Sequence, residues 1–122
     1  MTLQISPAQL EIYRQTARER EDGLKRQVGE RRERAIALAD VAAQILKNEF
    51  GASQVMAFGS LLHPDRFHFH SDIDLAVWDI NDYYRAVSRL MDLDPQIEFD
   101  LVPVEDARPE ILAVIKQEGK VL

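Results

Sequence analysis

A β-strand that carries two carboxylates on one face needs something to offset their repulsion, and this chain contains such a strand. In Ser71-Asp72-Ile73-Asp74-Leu75-Ala76-Val77-Trp78 the side chains alternate, so Asp72 and Asp74 share a face while Ile73, Leu75 and Val77 share the other. Neighbouring carboxylates raise each other's proton affinity, and hard oxygen donors in pairs suit magnesium or manganese. The run then becomes wholly apolar, which predicts a strand with a wet, acidic end and a buried far end. The bland alternative for any Asp-x-Asp is a polar turn leading into a strand.

Two further segments weigh against that alternative. Upstream, Gln54-Val55-Met56-Ala57-Phe58 is a short β-prone run that stops at Gly59-Ser60. Glycine after a strand lets the backbone approach a ligand, and the serine adds a hydroxyl and a free amide, a pairing suited to phosphate. Downstream, Gln96-Ile97-Glu98-Phe99-Asp100-Leu101-Val102 predicts a third strand with Asp100 between Phe99 and Leu101. Aspartate is depleted from strands and costly to bury alone. Beside the first acidic strand, Asp100 completes a set of three metal-binding carboxylates; in water, it is an ordinary exposed side chain.

Together, Gly59-Ser60, the Ser-Asp-Ile-Asp-Leu-Ala-Val segment around Asp72 and Asp74, and Asp100 in Phe-Asp-Leu-Val resemble the polymerase-β-type nucleotidyltransferase superfamily. Within it they are most similar to the minimal nucleotidyltransferase (MNT) group, which includes the MntA antitoxins. The resemblance covers residues 34–122 as a minimal nucleotidyltransferase domain and leaves 1–33 as an N-terminal helical extension. It implies an α/β (α+β) fold with a small mixed sheet and helices packed on one face. It also implies that Asp72 and Asp74 bind two Mg2+ ions and that Asp100 binds one of them and helps activate the attacking hydroxyl. Gly59 and Ser60 would hold the triphosphate of ATP, with Ser71 also at the nucleotide. Such chemistry rests on placement and countercharge around an in-line displacement.

The chain departs from the MNT pattern in the loop 61–71, which is one residue longer and lacks the group's usual Ala-Arg-Gly-like segment. Arg66 is the loop's remaining arginine or lysine for the nucleotide phosphates, and Pro64 should end any helix begun at Ser60 within about a turn. All three histidines, His63, His68 and His70, lie here. If the segment is extended, His68 and His70 point one way, a spacing that could hold a transition metal. The other reading is a polar loop face beside the pocket that meets nucleotide or partner.

Composition limits the acceptor. With 122 residues the chain makes one domain with a modest core and little room for an acceptor-binding domain of its own. The net charge is −6, divided as +1 up to residue 50 and −7 beyond it, so the half with the acidic residues would repel a long DNA or RNA strand. No cysteine, no apolar run of membrane-spanning length and no secretory-type leader occur, and the cytoplasm is the expected compartment.

The first third of the chain reads as helix. Ser6-Pro7-Ala8-Gln9 predicts a capping box with proline at the first helical position, followed by a thin apolar stripe of Leu10, Tyr13, Ala17, Leu24 and Val28. Gly23 and Gly29 weaken this helix, and a break is expected near Gly29. A second helix from Glu30 to Phe50 has a broader apolar face for the sheet. The stripe before the break fits either a solvated surface helix or one that binds a partner or a second copy. Further helices are expected over 82–92, capped by Asn81, and over 109–118, with a short final strand.

Three functions from different classes fit these features. MNT proteins of this size pair with HEPN-domain RNase toxins, so the resemblance implies an antitoxin that transfers AMP from ATP to a tyrosine hydroxyl of such a partner, which would itself supply the missing acceptor surface. A second possibility is a nucleotidyltransferase for a small molecule, as in aminoglycoside-modifying relatives, which would need self-association to build its pocket. The third is a non-catalytic MNT-fold protein that neutralises its partner by contact.

Overall fold

The computed structural model describes residues 4–122. A single helix, α1 (Pro7–Phe50), is followed by β1 (Gln54–Phe58), a 3-10 turn at Gly59–Leu62, and β2 (Ile73–Trp78). Then come α2 (Tyr83–Met91), β3 (Phe99–Pro103), α3 (Pro109–Glu118) and the two-residue strand β4 (Lys120–Val121). The sheet order is β3-β2-β1-β4. β1 runs antiparallel to both β2 and β4, whereas β2 and β3 are parallel, so the sheet is mixed as expected.

The alternation read from the sequence decides which face each side chain joins. Val55, Ala57, Ile73, Leu75, Val77 and Leu101 turn to one face and form the main core with the second half of α1 and with α2. Ile73, Leu75, Val77 and Val55 are fully buried there, each worth about 1.5–3 kcal/mol of transfer free energy. On the other face Phe58, Ala76 and Ile115 make a smaller cluster under α3, joined by Met56, Trp78 and Val102. Helices therefore pack on both faces of the sheet rather than on the one face expected, because Ile115 of α3 covers Phe58 and Ala76 on the second face. The acidic end of β2 belongs to the α3 face, beyond the reach of that small cluster.

The capping box forms as expected: the Ser6 amide donates to Gln9 Oε1 at 2.9 Å, and the Gln9 amide donates to Ser6 Oγ at 3.2 Å. The expected break near Gly29 does not occur, and α1 runs 44 residues without interruption. Glycine costs a helix interior only about 1 kcal/mol, which the turns packed on the sheet beyond it can offset, and this helix ends instead where a left-handed residue recovers its orphan carbonyls. Gly51 is that residue, at φ 72° with its amide donating to Leu46 O. α2 is capped by Asp82 rather than Asn81: Asp82 accepts from the Arg85 amide at 3.3 Å, while the Asn81 amide donates to Phe50 O. The third strand begins at Phe99, later than expected, because residues 94–96 turn around the buried Asp94 carboxylate, which accepts from the Gln96 amide.

Candidate active site

Parallel pairing of β2 with β3 sets Asp74 directly opposite Asp100, with Ile73 opposite Phe99 and Leu75 opposite Leu101. Pairing starts where the Ile73 amide donates to Glu98 O at 2.9 Å, and Asp72 lies just before that point, exposed. All three carboxylates thus face the same side of the sheet at its open end. Asp74 is the most enclosed of them. Partial burial first, then the charges of Asp100 and Asp72 and a hydrogen bond with Asp100, push its carboxyl up to about 6.

The end of β1 closes the site from the other side, since Phe58 pairs with Asp74 and Gly59 follows at once. Gly59 has φ 78°, which side chains other than glycine's rarely adopt. A Cβ there would also run into Asp74 Oδ2. Both the backbone angle and the lack of a side chain are therefore required for the Gly59–Leu62 turn to lie against the carboxylate. Pro64 limits this turn as expected: the helical stretch ends at Leu62, and the His63 amide closes it by donating to Ser60 O at 3.0 Å.

The chemistry of the donor set fits a divalent cation. Three carboxylates that meet at one edge, one of them holding its proton up to about pH 6, form a site whose crowding a doubly charged ion would relieve. They adjoin without forming a closed chelate: among the described residues no three His, Cys, Asp or Glu side chains are grouped compactly enough to hold a metal ion.

The loop residues divide. Arg66 is exposed in the turn at 64–66, available to an anionic ligand. Ser71 is 5 % exposed, and its hydroxyl accepts from the His68 amide at 2.9 Å, so it shapes the loop that delivers Asp72. The stretch 68–70 turns rather than extends. His70 donates its amide to His68 Nδ1 at 3.0 Å, and the two rings meet edge to face 6.3 Å apart, so the paired imidazoles that extension would give are not formed. His63 lies apart, with Nε2 3.2 Å from Glu118 Oε2.

Sequence reasoning missed the arginines that hold the site's loops in place. Arg32 of α1 donates from Nε to Leu61 O at 2.9 Å, anchoring the Gly59–Leu62 turn. Arg31 donates to Gln96 O at 2.8 Å, and Arg34 donates to Gln96 Oε1 at 3.2 Å and pairs with Asp94. Asp94, 6 % exposed, also accepts from the Gln96 amide at 2.9 Å, which fixes the turn leading into the strand of Asp100. The cluster Arg31-Arg32-Glu33-Arg34 at the start of the broader apolar face was the available signal. Its charges look solvated until the sheet is in place.

Residues 41–122 match the polymerase beta, nucleotidyltransferase family. No curated protein shows significant similarity to the chain. Among solved structures, a toxin–antitoxin with AMP-PNP is similar at 22% identity and a TM-score of 0.54, covering 66% of this chain and 68% of that one. A tri-AMPylated HEPN toxin of Shewanella oneidensis in complex with MNT antitoxin matches at 18% identity and TM-score 0.53, with 71% and 70% covered. A mutant of the toxin–antitoxin MntA-HpeT matches at 24% identity and TM-score 0.53, with 68% of each chain covered. At these identities the likeness is one of fold. With the family match spanning most of the chain, the protein belongs to the polymerase-β-type nucleotidyltransferases.

Proposed function

We propose that the chain is an MNT antitoxin that transfers AMP from ATP to a tyrosine hydroxyl of a HEPN-domain toxin and so neutralises it. The observation that carries this reading is the register of β2 on β3, which places Asp74 opposite Asp100 beside the Gly59 turn. The resemblance of the fold to chains solved with AMP-PNP and with an AMPylated toxin supports it. Residues 34–122 form the transferase unit on this reading, with 1–33 as its extension.

Asp72 and Asp74 would hold two Mg2+ ions, and Asp100 would bind one of them. Bound there, the ions supply countercharge to the entering and leaving oxygens of an in-line displacement. The chain's own residues do the rest. Gly59 and Ser60 present the turn to the β and γ phosphates, with Arg66 and Ser71 at the edge of the nucleotide site. The acceptor oxygen attacks the α-phosphorus as its proton passes to Asp100, and pyrophosphate leaves with the bonding electrons. The open carboxylate edge leaves the acceptor surface to a partner, as an antitoxin requires.

Incubating the purified chain with Mg2+, labelled ATP and a HEPN-domain toxin tests this. Label should reach the toxin, and Asp72→Asn, Asp74→Asn and Asp100→Asn should each cut transfer by at least about a hundredfold, the scale of losing one preorganised electrostatic contact. Toxin neutralised without label, unchanged in the three variants, would replace catalysis by contact. Label on an aminoglycoside but not on protein would assign a small-molecule acceptor.

A further inference from the structure

The part of α1 that precedes the tethering arginines carries a repeat that the transferase site does not use. From Leu10 onward, seam positions recur at alternating intervals of three and four: Leu10, Tyr13, Ala17, Arg20, Leu24 and Gln27. The larger apolar members are open to solvent, with Tyr13 at 73 %, Leu24 at 52 % and Leu10 at 42 % exposure. A lone helix in water is marginal, and one stabilised only by its own charges would have no reason to keep this seam.

We infer that this seam pairs with the seam of a second copy of the chain, antiparallel, as a short two-stranded coiled coil. The charges select both the partner and the direction. In a parallel pair each seam residue meets its own counterpart, which sets Arg20 against Arg20 in a desolvated layer. In the antiparallel pair Arg20 meets Ala17 of the second copy, and the small methyl leaves room for the aliphatic stem of the arginine. Tyr13 then meets Leu24 of the second copy, and Leu10 meets Gln27. Along the flanks, Arg14 falls beside Glu21 of the second copy, and two-fold symmetry repeats that pair. On the other flank Gln9 meets Glu30 and Thr16 meets Gly23, so no like charges meet along the flanks, and the two Arg20 side chains are kept in separate layers, each over the small Ala17 of the other copy. Both signs are interspersed along the arm, which suits self-pairing better than a strongly acidic or basic partner.

The base of the arm supplies a second reason. A groove of about 620 Å3 lies between α1 and the loop that follows the Gly59–Leu62 turn, with Leu24, Val28, Pro64 and Phe67 among its walls. The antiparallel register brings the apolar tip of the second copy, with Leu10 and Tyr13, down to the level of Leu24 and Gln27 beside this groove. Tip and groove, each unexplained within one chain, then cover one another twice.

The chain has no cysteine, so single cysteines report the register directly. In sedimentation the full chain should approach twice its 14.0 kDa mass. Leu24→Glu should raise the dissociation constant by at least about tenfold, with the near-ultraviolet signal of Trp78 in the sheet unchanged. On mild oxidation a mixture of Tyr13→Cys and Leu24→Cys chains should cross-link as the mixed pair, and Ala17→Cys alone should not. A single-chain mass at every concentration tested overturns the inference. Ready cross-linking of Ala17→Cys to itself, or association only after a HEPN-domain protein is added, overturns it equally. None of these readouts depends on transferase activity.

Discussion

Asp74 shows most directly what the acidic edge costs. Its carboxyl is pushed up to about 6 from 3.8, chiefly by burial and then by Asp100 and Asp72, so the folded protein holds that proton more tightly than the unfolded chain does. Stability from this group is therefore complete below about pH 4 and is lost as the pH rises through about 6; because the carboxyl is only partly buried, solvent screening holds the loss to about 1–2 kcal/mol in the metal-free protein. Urea unfolding in the presence of chelator should show that decline. Asp74→Asn should flatten it and leave the protein more stable than wild type near pH 7.5, and the opposite order would mean the carboxylates are not crowded. Gly59→Ala carries two penalties at once, a left-handed φ and a collision with Asp74, and should destabilise by about 1–3 kcal/mol while abolishing nucleotide binding by calorimetry. Arg34→Ala strips the ion partner from Asp94, and because the carboxylate is buried but the arginine is half exposed, a loss near 2 kcal/mol is expected in the same unfolding experiment.

At the scale of elements, the strands were legible and the long helix was not. Period-two alternation around Asp72 and Asp74 named the buried face correctly, because a one-residue slip would have put Ile73 and Leu75 in water and the aspartates in the core. The convergence of the aspartates followed from that alternation, but their register could be known only after the strands had paired. Gly29 misled because a glycine signals only a weak point; the position stays helical, and the left-handed cap that ends this helix comes at Gly51. If α1 is continuous there, Gly29→Ala should stabilise: the position is helical, and an added Cβ meets nothing within 4 Å. A gain of about 0.5–1 kcal/mol in thermal or urea unfolding is expected, and a loss would reinstate the break. The loop 61–71 was the least readable element, because its form depends on amide and hydroxyl bonds such as that between His68 and Ser71, and such bonds have no periodic pattern.

Across the whole molecule, the family match begins at residue 41, yet Arg31, Arg32 and Arg34 from before that point hold the two turns flanking the acidic edge. Deuterium uptake tests how much the site depends on them. Arg32→Met should speed exchange at Leu61–His63, and Arg34→Met should speed it around Gln96, each sparing the other segment. Among the described residues no helix is long and apolar enough to cross a membrane. The same helix that gives these anchors runs on unbroken into the exposed seam, so its root and its tip are one stiff shaft. A load on the arm would be carried along this shaft to the root, where the arginines hold the Gly59–Leu62 turn and the approach to Asp100 from different sides.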